Sequence, residues 1–249
     1  MVYWQKPKTG GNHVNRIVLM VLRNLWAAPG AFIKLFRYAK HSQEYTYEEK
    51  WNHIHYIMNR AVKSGNIDLK VTGIENIPEE HGYMFYANHQ GMFDVVAIAG
   101  VLNIPMGAVL KKELAEVPVL KQIKQCTDSF AMDREDVRQS LTVIQNVTKE
   151  VQKGRNFLIF PEGTRSKNGN QMGEFHGGSF RCALKAKCPI VPIAFIDSFR
   201  VLDEKGSKPV SMQMHILKPI RYEEYQDMKT VELAALVKSR IQQAIDENT

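Results

Sequence analysis

The sequence predicts an α/β fold with a mixed, largely parallel central sheet flanked by helices, preceded by an N-terminal amphipathic helical segment. Three observations support this prediction. Short apolar runs alternate with helical patterns from residue 67 onward, polar clusters directly follow two of these runs, and residues 1–40 are basic and apolar without any acid. With 249 residues, 44% of them hydrophobic, the chain is long enough for one sizeable core but not for a second full domain.

The amino-terminal segment carries the whole net charge of +7, because the remainder of the chain is balanced. The residues between its charges are mostly aliphatic and aromatic, which favours an anionic membrane surface as partner and argues against nucleic acid. Arg16 and Arg23, seven residues apart, share one helical face. We therefore expect a helix lying in the lipid headgroup layer with Trp26 beneath it. A helical hairpin packed on the protein's own core is the alternative.

This segment is not expected to cross a membrane or to be cleaved. A span needs about 20 consecutive apolar residues, whereas Arg23 and the Pro29-Gly30 pair interrupt the apolar runs. A small-residue cleavage site is also missing. The three cysteines fit no disulfide or zinc pattern and are expected to be reduced. We therefore expect a peripheral or monotopic protein at the cytoplasmic face of the cell membrane.

The rest of the chain is predicted element by element from its periodicity. Helical spacing predicts helices over residues 45–62, 93–102, 113–125, 137–153 and 180–187, and from about residue 230. Alternating or continuous apolar runs predict strands over residues 67–71, 82–87, 106–110, 129–132, 156–160, 190–196 and 213–217. A boundary near residues 63–66 divides the chain into a membrane-association segment, 1–65, and an α/β domain, 66–249.

The first polar cluster, residues 88–94, lies where the strand ending at Ala87 turns into a helix. Loops at the carboxyl ends of strands are where α/β enzymes place their sites. A neutral imidazole, His89, is suited to act as a general base, and a carboxylate, Asp94, could hold its other ring nitrogen. The two can meet only if His89 precedes the helix and Asp94 lies in its first turns. Helix capping by Asn88 and a surface histidine are the alternative reading.

The second polar cluster, residues 161–166, follows the buried strand ending at Phe160. Arg165 offers a planar guanidinium suited to phosphate oxygens, and Gly163 lets backbone amides approach an anion. An ordinary loop with a surface Arg–Glu pair would have the same composition. Both clusters together indicate an enzyme site that binds an anion beside a histidine base.

Over residues 74–196 the chain resembles the lysophosphatidic acid acyltransferases (1-acyl-sn-glycerol-3-phosphate O-acyltransferases) of the glycerolipid acyltransferase superfamily. Four motifs occur in family order: residues 88–94 with Asn88, His89 and Asp94, then 111–114 followed by 130–134, then 160–166, then 191–193. Two positions depart from the family pattern. Gly91 stands where many relatives carry Ser, and His176 where Lys is frequent, so a phosphate contact from that loop would carry less charge.

The resemblance implies a role for each matched residue. His89 would be the base and Asp94 its orienting partner, with direct attack of the acceptor hydroxyl on a thioester and no acyl-enzyme. Lys111 and Arg165 would hold the acceptor phosphate, Glu162 and Gly163 would shape that pocket, and Arg134 would be a further phosphate contact. The substrate-binding residues implied in this way are Asn88, Lys111, Arg134, Glu162, Gly163, Thr164 and Arg165.

The resemblance also implies the reaction of a compact, bacterial-type enzyme of phospholipid biosynthesis. A fatty-acyl group would pass from acyl-CoA or acyl carrier protein to the sn-2 hydroxyl of lysophosphatidic acid, giving phosphatidic acid. Neither a metal nor a bound cofactor is expected, because no metal-ligand cluster or dinucleotide motif occurs. The alternatives are another lysophospholipid or glycerol 3-phosphate as acceptor, a hydrolase, which would need a nucleophilic elbow that is not present, and a non-catalytic membrane-binding protein.

Overall fold

The computed structural model describes residues 15–249, which form a seven-stranded mixed sheet with helices on both faces. The strand order is β1-β7-β6-β2-β5-β3-β4, and every pairing is parallel except β6 with β7. The strands are β1 (Ile67–Thr72), β2 (Met84–Ala87), β3 (Met106–Lys111), β4 (Phe130–Met132), β5 (Asn156–Ile159), β6 (Ile190–Ile196) and β7 (Val210–Ile216). The predicted mixed, largely parallel sheet is confirmed.

Ten α-helices accompany the sheet within residues 15–249. They are α1 (Arg16–Arg23), α2 (Ala28–Lys40), α3 (Tyr47–Ser64), α4 (Phe93–Val101), α5 (Leu120–Thr127), α6 (Val137–Gln152), α7 (Arg181–Ala186), α8 (Phe199–Leu202), α9 (Tyr222–Tyr225) and α10 (Thr230–Asp246). Thr46 and Glu49 cap α3 reciprocally, and Asp136 caps α6, which fixes where these two helices begin.

Two hydrophobic layers, one on each face of the sheet, stabilise the fold. Successive strand residues alternate between them: Met84 and Tyr86 pack with α6 and α10, whereas Phe85 packs on the other face with α4 and with Trp51 of α3. The predicted boundary at residues 65/66 coincides with the end of α3. It does not separate two packing units, because α3 contributes to this second layer. The assignment of residues 1–65 to membrane association stays a prediction.

The helix predicted over residues 113–125 is wrong at its start. Residues Lys112–Leu114 form a single 3-10 turn, and the α-helix begins only at Leu120. Pro118 accounts for the break, since proline lacks an N–H and its ring clashes with the preceding helical turn. The following residue, Val119, has a φ of 73°.

Strand β7 begins three residues before its predicted start, because Ile67–Leu69 of β1 pair with residues 210–212.

Helix α1 is oriented opposite to the prediction at Arg16. Arg16 is 2% exposed and donates from Nε to the carbonyl of Val201 (2.7 Å) and from Nη1 to the carbonyl of Gly65 (3.2 Å). Arg23 donates to the carbonyl of Ser64 and to Asn66. Arg16 therefore faces the protein, not lipid headgroups, because backbone carbonyls there accept its hydrogen bonds. Arg23 also bonds to the protein but stays exposed. The basic residues Lys6 and Lys8 of this segment lie outside the described residues.

Helices α1 and α2 and the turn between them carry exposed apolar side chains, and Lys34, Arg37 and Lys40 of α2 are also exposed. The exposed apolar side chains are Ile17, Val18, Val21, Leu22, Leu25, Trp26, Phe32, Ile33 and Phe36, and we call them the outer apolar face. Trp26 is fully exposed and Ile33 is 71% exposed. Within residues 15–249 no single helix is long and apolar enough to cross a bilayer, while α1 and α2 reach that length only as a pair bent by 92°.

Candidate active site

Five adjacent strands run in the same direction and bring five loops to one edge of the sheet. The loop after β2 carries His89, and the loop after β5 carries Glu162 and Arg165. Lys111 ends β3, and Arg134 follows β4. The parallel order thus gathers four sequence-distant motifs at the edge where α/β enzymes place their sites.

His89 and Asp94 form a hydrogen-bonded pair. His89 Nδ1 lies 2.7 Å from Asp94 Oδ2. A carboxylate can only accept, so Nδ1 carries a proton, and in the neutral imidazole Nε2 has the lone pair. The His89 ring stacks on Phe160, with centroids 4.1 Å apart, and its side chain remains 20% exposed. His89 precedes α4 and Asp94 lies in the first turn of that helix, as their pairing requires.

The Asp94 carboxylate is completely buried and hydrogen-bonded on both oxygens. Oδ2 also accepts from the backbone N–H groups of Gln90 (2.8 Å) and Gly91 (3.0 Å). Oδ1 accepts from the Ser198 hydroxyl. A buried charge is costly unless it is paired and hydrogen-bonded. These donors therefore stabilise the buried carboxylate beside His89 without exposing it to solvent.

Glu162 holds the backbone of His89 in place. Its Oε1 accepts from the His89 N–H and its Oε2 from the Gly173 N–H, both at 2.7 Å. The His89 carbonyl in turn accepts from the Ser166 N–H at 2.7 Å. Glu162 is only 4% exposed, and this burial raises the pKa of its carboxyl above the usual value. The observed contacts of Glu162 position His89. The predicted contact of Glu162 with substrate stays a prediction.

Asn88 has a structural contact where a substrate contact was expected. Its Nδ2 donates to the Phe195 carbonyl (3.0 Å) and its Oδ1 accepts from the Phe195 N–H (2.7 Å). At 1% exposure, the side chain joins the loop after β2 to β6. The alternative reading as a helix cap is wrong, because the residue before α4 is Met92 and no side-chain cap bond is made there. The substrate contact of Asn88 stays a prediction.

Gly163 and Arg134 lie next to each other. Gly163 has a φ of 69°, a left-handed conformation that favours glycine, at the turn after β5. A Cβ built on Gly163 would lie 3.6 Å from the Arg134 guanidinium carbon and 3.5 Å from the His176 ring. The structure thus brings Arg134 and His176 to the turn that carries Glu162. Thr164 is exposed in the same turn.

The other two predicted phosphate contacts already have acidic neighbours. Arg165 Nη1 lies 3.2 Å from an oxygen of Asp203, which follows α8. Lys111 Nζ lies 2.8 Å from an oxygen of Glu113. Each of these cations must therefore leave or share a carboxylate to bind a phosphate. For Arg134, by contrast, no carboxylate partner occurs within ion-pair distance in the described part of the chain.

Four residues at this site were not predicted as site residues. Gln90 and Phe160 lie inside the quoted motifs, and Ser198 and Asp203 follow β6. Ser198 could have been predicted, because a polar residue that directly follows a buried parallel strand lies at the same edge of the sheet as the other motifs. The charge pairing of Arg165 with Asp203 spans 38 positions and has no local signal.

Gly91, which departs from the family pattern, has a packing reason. A Cβ at this position would lie 3.1 Å from the Phe199 Cα and 3.3 Å from the Ser198 carbonyl oxygen. The start of α8 therefore lies directly against the loop after β2, and a side chain at residue 91 would displace backbone.

Among residues 15–249, no three His, Cys, Asp or Glu side chains are grouped as metal ligands.

Comparison with known proteins finds acyltransferases by both family and individual sequence. The family model described as Acyltransferase matches residues 68–196. The chain is 30% identical to the 1-acyl-sn-glycerol-3-phosphate acyltransferase of Salmonella typhimurium over 171 residues, covering 68% of this chain and 69% of that protein. It is 36% identical to the enzyme of that name from Pseudomonas aeruginosa over 129 residues, covering 51% and 49%.

A solved structure supports the fold. The crystal structure of the 1-acyl-sn-glycerophosphate (LPA) acyltransferase from Thermotoga maritima superposes with a TM-score of 0.70 at 22% sequence identity. The match covers 94% of this chain and 97% of that one.

Proposed function

The chain belongs to the acyltransferase family, and we propose that it transfers a fatty-acyl group to the sn-2 hydroxyl of 1-acyl-sn-glycerol 3-phosphate, producing phosphatidic acid. The observation that carries this proposal is the 2.7 Å contact between His89 Nδ1 and Asp94 Oδ2 at the carboxyl end of β2. The similarity to the named relatives supports the choice of acceptor.

His89 acts as the general base. Its Nε2 accepts the proton of the acceptor hydroxyl while the oxygen attacks the carbonyl carbon of an acyl thioester. A C–O bond forms, the C–S bond breaks, and the proton passes from His89 to the departing sulfur as a thiol. Asp94 keeps the proton on Nδ1 and stabilises the imidazolium that forms between the two proton transfers. No covalent acyl-enzyme is needed.

The cations beside the pair bind the acceptor phosphate. Arg134 lies against Gly163, one residue from the glutamate that holds the His89 backbone. A guanidinium can form two parallel hydrogen bonds to phosphate oxygens. Arg165 joins it after exchanging Asp203 for the phosphate, and Lys111 after exchanging Glu113. Thr164 and Gly163 form the turn between these cations.

The outer apolar face inserts into the membrane interface at the cytoplasmic surface. Its nine exposed apolar side chains lie on two consecutive helices and the turn between them, which is typical of interfacial binding. The lipid acceptor and product stay in the bilayer, and acyl-CoA or acyl carrier protein, both anionic, supply the thioester from the cytosol. A positively charged protein surface increases the rate at which these anionic donors encounter the protein. The reaction needs no bound cofactor.

Product formation tests the catalytic proposal. Purified protein is mixed with lysophosphatidic acid in liposomes and with either acyl-CoA or acyl carrier protein thioester, and thiol release and phosphatidic acid are measured. We expect phosphatidic acid from the wild type and a loss of about a hundredfold to ten-thousandfold in His89→Ala. Glycerol 3-phosphate and a lysophospholipid with a larger headgroup serve as alternative acceptors. Turnover of only one of those would overturn the acceptor assignment.

Liposome binding tests the membrane proposal separately. Ile33→Asp places a charge in the outer apolar face, and we expect about a tenfold or greater decrease in partitioning to anionic liposomes. Val231→Asp, on the exposed side of α10, is the matched control, because Val231 has the same 71% exposure outside that face. Equal partitioning of the two variants would contradict insertion of the outer apolar face.

A further inference from the structure

The segment after β6 touches the catalytic pair directly. Ser198 is completely buried, and its hydroxyl lies within hydrogen-bonding distance of Asp94 Oδ1 and, at 3.1 Å, of Gln90 Oε1. A hydroxyl has a single proton and can donate it to only one of them. Which oxygen receives it decides whether the Asp94 carboxylate has a donor on both oxygens.

The surrounding bonds settle the direction of that proton. The backbone N–H of Ser198 donates to Gln90 Oε1 at 2.9 Å, so that atom is the amide oxygen and already has a donor. Gln90 Nε2 donates to the Phe195 carbonyl (2.9 Å) and to Asn170 Oδ1 (2.8 Å), which uses both of its protons. An ionised carboxylate is the stronger acceptor. The Ser198 hydroxyl therefore donates to Asp94 Oδ1.

Ser198 is held from several sides. Asp197 has a φ of 60°, uncommon for a residue other than glycine, and its N–H donates to Asn170 Oδ1 at 2.9 Å. At the other end of the segment, the carbonyl of Val201 accepts from Arg16 Nε of α1. This turn aims the hydroxyl inward and closes the space over Gly91.

We infer that Ser198 is a positioning residue for acyl transfer: its hydroxyl fixes the rotation of the Asp94 carboxylate so that Oδ2 stays aligned with His89 Nδ1. Oδ2 receives three hydrogen bonds, whereas Oδ1 receives the one from Ser198. Without this donor, Oδ1 is a buried carboxylate oxygen with no hydrogen bond, and only the bonds on Oδ2 oppose rotation of the group. This inference rests on the proposed function, because it assigns Ser198 a role in that reaction.

Kinetics of Ser198→Ala and Ser198→Thr test the inference. We expect Ser198→Ala to lower kcat about tenfold to a hundredfold, the equivalent of one lost hydrogen bond to a buried charge, with each KM within about twofold of wild type. Ser198→Thr retains the hydroxyl and should recover most of kcat. Thr148→Val is the control: Thr148 is 7% exposed, and its hydroxyl donates to the Ile144 carbonyl within α6.

A spectroscopic measurement makes the test independent of turnover. A hydrogen-bonded Nδ1–H of His89 gives a downfield proton resonance, assigned by its loss in His89→Ala. This resonance should move or broaden in Ser198→Ala, stay in Ser198→Thr, and be unchanged in Thr148→Val. If wild type shows no acyl transfer, the proposed function fails, while the resonance still reports on Ser198. Should Ser198→Ala not fold, Ser198→Cys, with a weaker donor, replaces it. Wild-type kcat and an unmoved resonance in folded Ser198→Ala would overturn the inference.

Discussion

The two halves of the candidate site differ in how completely they are assembled. Around His89 and Asp94, the polar groups are mostly buried and hydrogen-bonded to fixed groups of three loops. On the phosphate side, Arg165 and Lys111 are about half exposed and paired with acidic side chains. The hydrogen bonds of the base are therefore in place before substrate binds, whereas Arg165 and Lys111 must exchange acidic partners for the phosphate. This difference predicts that substitutions in the two halves change different kinetic constants.

The largest effect is expected from the buried half. Asp94→Asn removes the acceptor that keeps the proton on His89 Nδ1, and it places an amide donor among backbone N–H donors. We expect kcat to fall about a thousandfold or more, as for other histidine–carboxylate pairs in which the wrong tautomer results. Steady-state kinetics with each substrate measures this. Asp246→Asn, in the last turn of α10, is the control. A loss carried mainly by KM would contradict the division between the two halves.

The exposed half should respond through the acceptor KM. Arg134→Ala removes the guanidinium beside Gly163, and we expect the KM for lysophosphatidic acid to rise about tenfold or more with kcat within a few-fold. Arg165→Ala should raise this KM less, because Arg165 gives up Asp203 when it binds phosphate. Arg138→Ala, an exposed arginine at the start of α6, serves as control. The opposite order of the two KM values would assign the main phosphate contact to Arg165.

Asp203 should weaken acceptor binding. If its carboxylate competes with the substrate phosphate for Arg165, Asp203→Asn lowers the KM for lysophosphatidic acid about two- to fivefold, the size expected for an exposed ion pair. Raising the salt concentration should shrink the difference between variant and wild type. A higher KM in Asp203→Asn would mean that Asp203 holds Arg165 ready for substrate and does not compete with it.

Glu162 should give the smallest effect, seen in stability. Because burial raises the pKa of this carboxyl, the folded chain keeps its proton at a pH where the unfolded chain has lost it. Its contribution to the free energy of unfolding therefore falls as pH rises from the ordinary glutamate range through the raised pKa. Denaturant unfolding of wild type and Glu162→Gln across that range measures this. The advantage of wild type over Glu162→Gln should shrink as pH rises; a growing advantage would contradict the direction.

Most of the fold follows from local patterns in the sequence. Continuous apolar runs predict β2, β5 and β6 because strands covered on both faces must be apolar throughout. The break at Pro118 was missed because the residues on both sides of it continue a helical pattern. Helix α8 has four residues, fewer than the periodicity of a helix needs to be recognised.

The sequence predicts the catalytic pair but not the contacts that hold it. His89 and Asp94 are five positions apart and their order along the chain already requires a loop followed by a helix. The bonds from Glu162 and Ser198 join positions 73 and 104 residues apart, and only the strand order brings them together. The orientation of α1 was predicted wrongly for a related reason. Charge on Arg16 suggested lipid headgroups, whereas distant backbone carbonyls satisfy it.

A double-mutant cycle of His89→Ala and Asp94→Asn tests the central claim most directly, because it asks whether Asp94 works through His89. Acyl-transfer rates of the wild type, the two single variants and the double variant are measured under identical conditions. If Asp94 acts through His89, the double variant is no slower than His89→Ala alone, since the carboxylate has nothing left to orient. A double variant slowed by the product of the two separate losses would contradict the pairing and give each residue an independent role.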